Sequence, residues 1–317
     1  MGQKRLSPCV VILTALSVEF QAVSAHVISH RKDVRHRTVY WLGTFPCPGC
    51  LWKVSSVEIG PSNSTAAIKT TQAIQDFQLD AVLFVGVAGG LKDVRIGDVV
   101  AARKIYCYES GKDSTTFLPR PEVMQATPRM ESWSRSVRNE QLWLDRIKKN
   151  ASLHLLPPPR AYVEAIAAGE KVVNSIHSST AELLRKQYSD TLALEMEGYG
   201  FLRAAYNHPE VDALVIRGIS DLLEGKSEAD AANSQELASC HASAFAFELL
   251  TQLGMDQEFL DMHQARKSQE KLRPASRSEK SRSPQHSNTT YNVKNSGQMA
   301  IGPHSQVINH NTRTSEE

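Results

Sequence analysis

The chain has 317 residues, of which 41% are hydrophobic, enough for one large α/β domain with a tail or for two small domains. Its formal net charge of +2 is unevenly distributed, because residues 266–282 carry +5, the charges after residue 282 cancel, and residues 1–265 carry −3. A negatively charged main body argues against binding to nucleic acid. No run of eighteen apolar residues occurs, so we expect no association with a membrane.

The amino terminus and the cysteines favour a cytoplasmic protein. Leu6 stands where a myristoylation signal requires Ser or Thr, and no secretory cleavage pattern follows. Five cysteines are an odd number for a secreted disulfide framework. Cys47 and Cys50 have redox or zinc-knuckle spacing, but no further ligands are near, so we favour a tight Pro-Gly turn between two strands. We therefore expect neither a metal ion nor a cofactor.

Predicted strands and helices alternate along the first 254 residues. Continuous apolar runs at 10–16, 80–90 and 211–219 are typical of strands buried on both faces. Further strands are predicted at 38–43, 51–58, 99–108, 162–167 and 191–194. Helices are predicted at 63–77, within 130–150, at 199–206 and at 237–253, with Asn63 and Ser234 as N-caps. This alternation predicts an α/β fold, with a mostly parallel twisted central sheet covered by helices on both faces.

Acidic and small residues stand where four of these strands end. They are Glu19, then Val87, Ala88 and Gly89, then Glu195, Met196 and Glu197, and finally Ser220 and Asp221. Open α/β sheets hold their ligands at the carboxyl ends of strands, so these segments are expected to converge on one ligand. An alternative stays open on the residues alone: acids after a strand also cap the following helix by accepting its free N–H groups.

Lys112 and Arg120 follow the strand at 99–108 in a polar loop. Donors in such a loop can hold the charge of a phosphate group. The alternative is that both are solvated loop charges, which is the commoner situation.

The composition changes from residue 257. We predict a catalytic domain at 1–256, a basic flexible linker at 257–287 and a polar tail at 288–317. Within the tail, residues 295–302 alternate polar and apolar side chains at low charge, which suits amyloid-like cross-β stacking between chains. The alternative is a frayed polar tail with no assembly role.

Six motifs occur together in register between Pro8 and Gly254. They are TALSVEF, VGVAGGL, the Gly-Asp pair at 97–98, AGEKVV, LEMEG and RGISD. In this order the chain resembles the nucleoside phosphorylase / methylthioadenosine–adenosylhomocysteine nucleosidase superfamily. The extended motifs are most similar to nucleosidase-like effector domains of immune and antiphage proteins, some of which act on ATP. In that setting the tail is similar to amyloid-signalling motifs that couple effectors to sensor proteins.

The resemblance implies a role for each matching residue in cleaving an N-glycosidic bond. Asp221 would be the general acid that delivers a proton to N7 of the purine, and Glu19 would be the base that activates water. Glu197 would accept hydrogen bonds from the ribose hydroxyls, and Met196 would pack against the sugar. Val172 and Val173 would frame the purine, largely through backbone groups.

The remaining motif residues, Ala88, Gly89, Glu195 and Ser220, would complete the substrate-binding surface. Val87 departs from the superfamily pattern, because methylthioadenosine nucleosidases have Ser at the matching place. This departure favours a different substrate, and a phosphorylated one would give Lys112 and Arg120 a role.

The expected function is therefore hydrolysis of a purine nucleotide or nucleoside, with release of adenine from ATP or a related nucleotide as a defence effector. Two alternatives stay open. One is a housekeeping methylthioadenosine/adenosylhomocysteine nucleosidase or a nucleoside phosphorylase, and the other is a catalytically silent nucleotide-sensing or oligomerising module. The resemblance also implies at least a dimer, and the tail suggests self-assembly or a sensor partner.

Overall fold

A mixed ten-stranded sheet forms the centre of the computed structural model, which describes residues 6–147, 157–223 and 231–272. Its strands are β1 (Cys9–Thr14), β2 (Ile28–Arg35), β3 (Thr38–Pro46), β4 (Leu51–Glu58), β5 (Ala81–Gly90), β6 (Val99–Cys107), β9 (Glu122–Gln125), β10 (Ala161–Ala168), β11 (Thr191–Glu195) and β12 (Asp212–Leu222). Two short strands, β7 (Gly111–Lys112) and β8 (Leu118–Pro119), form a separate ribbon. The strand order is β11-β10-β6-β12-β5-β1-β4-β3-β2, with β9 paired to β6.

The predicted α/β class is confirmed, with a sheet that is mixed. Parallel pairings join β1 to β4 and β5, β10 to β6 and β11, and β12 to β5. Antiparallel pairings join β12 to β6, β11 to β5, β6 to β9, and the β2-β3-β4 ribbon. Because β1, β5, β11 and β12 all run into the same region, their carboxyl ends meet there.

Helices cover both faces of the sheet. They are α1 (Ser17–Ser24), α2 (Asn63–Asp76), α3 (Pro128–Glu140), α4 (Ser179–Gln187), α5 (Gly198–Ala205), α6 (Ala231–Leu253) and α7 (Gln257–Leu272), with a 3-10 helix at Leu142–Arg146. Strand β1 shows why its sequence is apolar from Val10 to Leu13: Val10 and Ile12 pack in the cluster that contains α6, whereas Val11 and Leu13 pack in the cluster of α2 and α5. A strand buried on both faces favours apolar side chains, and the buried Thr14 at its end donates its hydroxyl to the carbonyl of Val57 at 3.5 Å.

Two predicted helix caps were wrong. Ser62, not Asn63, caps α2, because its hydroxyl oxygen accepts a hydrogen bond from the N–H of Thr65 at 3.3 Å. Ser234 lies inside α6, which begins at Ala231. The apolar periodicity in the sequence starts later than the helix, so it displaced the predicted boundary.

The flexible linker predicted from residue 257 was wrong over 257–272, where α7 packs on the domain. Phe259 stacks on Trp52 with 5.5 Å between ring centroids, and His263 is buried against Asp80. Leu260 also joins the core, and the guanidinium of Arg266 donates to the carbonyl of Leu79 at 2.8 Å. Most other side chains of α7 are polar, which explains why its composition suggested a linker. The rest of the linker and the whole predicted assembly tail lie outside the described residues.

Cys47 and Cys50 form the predicted turn between β3 and β4. The N–H of Cys47 donates to the carbonyl of Cys50 at 3.1 Å, which closes the turn. Within the described ranges, no cluster of His, Cys, Asp or Glu has the arrangement of a metal site. The helices of those ranges also lack the length and apolar character required to cross a bilayer.

Candidate active site

A cavity of about 340 Å³ opens where β1, β5, β11 and β12 end, in the size range of small-molecule sites. Most of the predicted site residues line it. They are Glu19, Val87, Ala88, Gly89, Val172, Val173, Glu195, Met196, Glu197, Ser220 and Asp221. The sequence expectation that these segments converge therefore agrees with the lining of one cavity.

Glu19 is fixed by backbone donors from two strand ends. Its Oε2 accepts hydrogen bonds from the N–H groups of Ala15 at 2.7 Å and Leu16 at 2.9 Å, where β1 turns into α1. Its Oε1 accepts from the N–H of Val87 at 2.8 Å, at the end of β5. Burial raises the pKa of Glu19, and Arg217 together with these backbone N–H groups opposes the rise. The carboxyl group therefore holds one position and has a proton affinity above that of an ordinary glutamate.

The sequence analysis missed Arg217, which is 0% exposed beneath the cavity. Its guanidinium donates to Glu195 and to Oε2 of Glu197 at 2.9 Å, and it lies 3.9 Å from Oε1 of Glu19. Burial disfavours its charge, but these three carboxylates outweigh burial and raise its pKa. One cation thus organises three acids that come from the ends of two strands, β1 and β11. A charged residue inside the apolar strand that ends in RGISD was the signal that could have identified it.

Arg217 also needs a glycine beside it. A Cβ at Gly86 on β5 would overlap the guanidinium of Arg217 and lie 2.5 Å from Oε1 of Glu19. Gly86 therefore leaves space for the charged cluster beneath the cavity. The small residues Ala88 and Gly89 on the same strand form part of the cavity wall.

Glu197 has a strongly perturbed carboxyl group. Its Oε1 accepts from the N–H of Ser62 at 3.2 Å, and its Oε2 accepts from Arg217. Burial, with the nearby charges of Glu195 and Glu19, raises the pKa of Glu197 to about 7, although Arg217 and the Ser62 N–H oppose the rise. Near neutral pH this carboxyl group can therefore change its protonation state in response to a ligand.

Glu195 satisfies the helix-capping alternative. Its carboxylate accepts from the N–H of Glu197 at 2.9 Å and from the N–H of Gly198 at 2.8 Å, at the start of α5, and also binds Arg217. These contacts go to Oε2, and the N–H of Gly198 also donates to Oε1 at 3.0 Å. Both oxygens are thus engaged, and Glu195 holds the turn that presents Glu197. The helix-capping explanation thus applies to Glu195, whereas the ligand-site expectation remains for Glu19, Glu197 and Asp221.

Asp221 is placed at the cavity by an irregularity in β12. The pairing of β12 with β5 shifts register between Ile219 and Asp221. Such a shift changes the direction in which the side chains at the strand end point. The hydroxyl of Ser220 donates to Oδ1 of Asp221 at 2.8 Å. Oδ2 of Asp221 lies 3.5 Å from the Cβ position of Gly89, so the carboxyl group sits directly against the glycine turn.

The opposite wall of the cavity is the loop after β10. Val173 is buried, whereas Val172 is 74% exposed, so Val173 is the more enclosed of these two lining residues. Asn63 anchors this loop: its Nδ2 donates to the carbonyl of Gly169 at 3.1 Å, and its Oδ1 accepts from the N–H of Gly200 on α5 at 3.0 Å. The residue that was predicted as a cap therefore ties two walls of the site together.

The predicted phosphate-binding residues lie elsewhere. Lys112 and Arg120 are exposed on the β7-β8 ribbon and do not line the cavity. The N–H of Arg120 donates to the carbonyl of Ser110 at 2.9 Å, which closes the ribbon on itself. Among the described lining residues the cation is Lys171, whose ammonium group is 3.3 Å from Oε1 of Glu109. The structure therefore does not bring Lys112 and Arg120 together with the acids.

The fold and this acid-lined cavity define an α/β protein that carries its ligand site at the carboxyl ends of the central strands. Residues 10–253 match the family model of the Phosphorylase superfamily, and the chain belongs to that superfamily.

Two groups of curated relatives are similar to the chain. The ATP nucleosidase Cap17 of Escherichia coli is 28% identical over 239 residues, which is 68% of this chain and 46% of Cap17. The 5′-methylthioadenosine/S-adenosylhomocysteine nucleosidase of Staphylococcus aureus is 26% identical over 210 residues, which is 63% of this chain and 82% of that enzyme. The chain thus spans less than half the length of Cap17.

Solved structures share the fold. The nucleosidase of Neisseria meningitidis in complex with methylthio-immucillin-A has a TM-score of 0.62 at 18% identity, covering 77% of this chain and 99% of that one. The futalosine hydrolase of Helicobacter pylori has a TM-score of 0.61 at 19% identity, covering 78% of this chain and 98% of that one.

Proposed function

We propose that this chain is a purine N-glycosidase, a hydrolase that releases the base from a purine nucleotide or nucleoside. The observation that carries the proposal is the convergence of Glu19, Glu197 and Asp221 on one cavity, with Met196 between the acids. Curated relatives named as nucleosidases support the same chemistry.

The reaction breaks the bond between C1′ of the ribose and N9 of the purine, through a transition state that resembles a ribosyl cation. Asp221 delivers a proton to N7, so the bonding electrons leave with a neutral base. Glu19 accepts a proton from the water that attacks C1′. Glu197 accepts hydrogen bonds from the ribose hydroxyls, and these strengthen as positive charge develops on the sugar.

The charges around the cavity favour water over phosphate as the nucleophile. Four carboxylates line the cavity, and Arg217 beneath it is already bound to two of them and close to a third. Lys171, the lysine on the described lining, is 74% exposed and is paired with Glu109. An inorganic phosphate dianion would meet repulsion beside these acids, whereas a neutral water would not.

For the substrate we propose ATP or a related adenine nucleotide. The similarity to a relative named as an ATP nucleosidase supports this choice. A second candidate, an uncharged nucleoside such as methylthioadenosine, is favoured by the scarcity of cations on the described lining. Release of adenine from a nucleotide would deplete the adenine nucleotide pool, which fits a defence effector that works in the cytoplasm. Such an effector would act as an oligomer, assembled through its tail or a sensor protein.

Chromatography of free base tests the proposal directly. The purified protein is incubated separately with ATP, AMP, adenosine and methylthioadenosine, without phosphate, beside Asp221→Asn, Glu19→Gln and the control Asp113→Asn. Asp113 is an exposed acid between β7 and β8, away from the cavity. We expect release of adenine from ATP that both site variants abolish and the control retains.

The other outcomes are equally informative. Release from the nucleosides alone would establish the second candidate, and a requirement for added phosphate would make the enzyme a phosphorylase. A folded protein that binds ATP but releases no base from any substrate would refute the enzyme proposal, leaving the silent binding module.

A further inference from the structure

A second cavity, of about 730 Å³, lies at the opposite end of β1 from the active site. Its floor is one face of the β1-β4-β3-β2 part of the sheet, and the end of α2 together with α7 forms its walls. Cys9 begins β1 at this cleft, whereas Ala15 follows β1 at the active site. Six strand residues span roughly 20 Å, so the two cavities are separate sites.

Positive charge dominates the lining of this basic cleft. Arg31, Arg35, Lys53 and Lys267 line it, against Asp76 as the acid among its described lining residues. The carboxylate of Asp76 is already engaged, because one oxygen contacts His36 at 2.5 Å and the other accepts from Tyr40 at 3.0 Å. The cleft therefore holds an excess of cations that the protein does not neutralise internally.

Two of these cations are available to a ligand. Arg35 is engaged with Asp33 at 2.8 Å, and Lys267 donates to the carbonyl of Ser7 at 3.3 Å. The side chains of Arg31 and Lys53, in contrast, have no ion-pair or hydrogen-bond partner among the described residues of the chain. They stand on the strands that flank β3, on either side of the cleft floor.

The remaining described lining mixes apolar side chains, such as Leu42, Val54 and Phe77, with polar ones that carry no negative charge. The hydroxyls of Ser29 and Thr44 border the cleft. Burial, with the charge of Asp80, raises the pKa of the Cys9 thiol to about 11, so this thiol at the cleft floor stays neutral near pH 7. His263 on the α7 wall binds Oδ1 of Asp80 through Nδ1 at 2.8 Å, while its buried Nε2 has no partner in the described part of the chain.

We propose that the basic cleft is a binding site for a small molecule that carries two or more phosphate groups. Arg31 and Lys53 supply charge-assisted hydrogen bonds to its oxyanions, and the hydroxyls of Ser29 and Thr44 complete the donor set. The volume suits a nucleotide-sized ligand. This site is independent of the proposed N-glycosidase activity, because it needs none of the acids at the other end of the sheet.

Isothermal titration calorimetry with inorganic triphosphate tests the site, since this probe has neither base nor sugar to occupy the active site. The full chain is compared with Arg31→Gln/Lys53→Gln and with Lys32→Gln, a matched control. Lys32 neighbours Arg31 on β2 but stacks over Trp41 at 4.8 Å and does not line the cleft. We expect one triphosphate per chain, affinity at least about tenfold weaker in the double variant, and no change in the control.

Three results would overturn the proposal. One is no binding at low ionic strength, and another is equal weakening by Lys32→Gln, which would mean diffuse surface attraction. The third is clearly tighter binding in Asp221→Asn, because loss of that negative charge would favour an anion held in the active site. Because Arg31 and Lys53 are both exposed, their variants should fold; circular dichroism checks this, and Lys53→Gln alone should still weaken binding.

Discussion

Replacing Arg217 by methionine should destabilise the protein strongly at alkaline pH. The change removes a fully buried guanidinium and leaves Glu19, Glu195 and Glu197 packed together without a counter-charge. Removing one partner of a buried ion pair costs about 3–5 kcal/mol of unfolding free energy. We expect a loss of that size at pH 8, measured by urea denaturation followed by circular dichroism.

The loss should shrink on acidification. Burial already raises the pKa of Glu19 and of Glu197, and Arg217 opposes both rises. Without Arg217 these two pKa values rise further, so the folded state binds more protons than the unfolded state. Stability then falls as pH rises between the unfolded and the folded pKa, and it returns when the pH is lowered. Each additional unit of pKa rise restores about 1.4 kcal/mol at acid pH. At pH 5.5 the penalty should therefore be smaller than at pH 8 by at least that amount.

Two further variants sharpen this prediction. Arg217→Lys keeps the positive charge but loses the planar guanidinium that binds two carboxylates at once. Its loss of unfolding free energy should therefore be smaller than that of the methionine variant. Arg129→Met removes a partly exposed arginine paired with Asp212 at 2.9 Å, so its penalty should vary much less with pH. A penalty for Arg217→Met that is below about 1 kcal/mol, or identical at both pH values, would refute the assignment of Arg217 as the cation that neutralises the cluster.

Base release should increase as pH rises through about 7, because ionised Glu197 is the better acceptor for ribose hydroxyls. A pH–rate profile of Glu197→Gln should lack this step. Gly86→Ala should cost about 1–3 kcal/mol in urea denaturation and reduce base release, because its Cβ displaces Glu19. Asn63→Ala should cost about 1–3 kcal/mol by the same assay, since it leaves two buried backbone groups unpaired. Ser64→Ala, at an exposed position of the same helix, should be near neutral.

Opposite results would contradict specific steps of the reasoning. An unchanged pH profile in Glu197→Gln would assign the step to another group. Full activity and stability in Gly86→Ala would mean that the strand can move away from the acid. Equal losses in Asn63→Ala and Ser64→Ala would indicate a general helix effect instead of the bridge between two cavity walls.

Local patterns were sufficient for the buried central strands and for the segments that line the cavity, but they did not reveal β2 or β9. Runs such as 10–13 and 81–86 are apolar at every position, because both faces of those strands are covered, and this is visible without any tertiary information. Acids and glycines that directly follow such runs lie at carboxyl strand ends, so Glu19, Glu197 and Asp221 could be grouped in advance.

Long-range contacts decided the rest. The sequence by itself determined the α/β class and which segments end at the site. Burial of a strand on two faces makes it apolar along its length, and the order of residues shows which end of the strand is the carboxyl end. Only the tertiary structure decided that Glu195 caps a helix while Glu197 lines the cavity, that Arg217 neutralises both, and that α7 is folded. The contacts of Arg217 and of α7 join residues far apart in the chain, such as His263 with Asp80, and such pairing is set by packing and has no periodic signal in the sequence. The cap formed by Glu195 is local, but the same carboxylate also binds the distant Arg217.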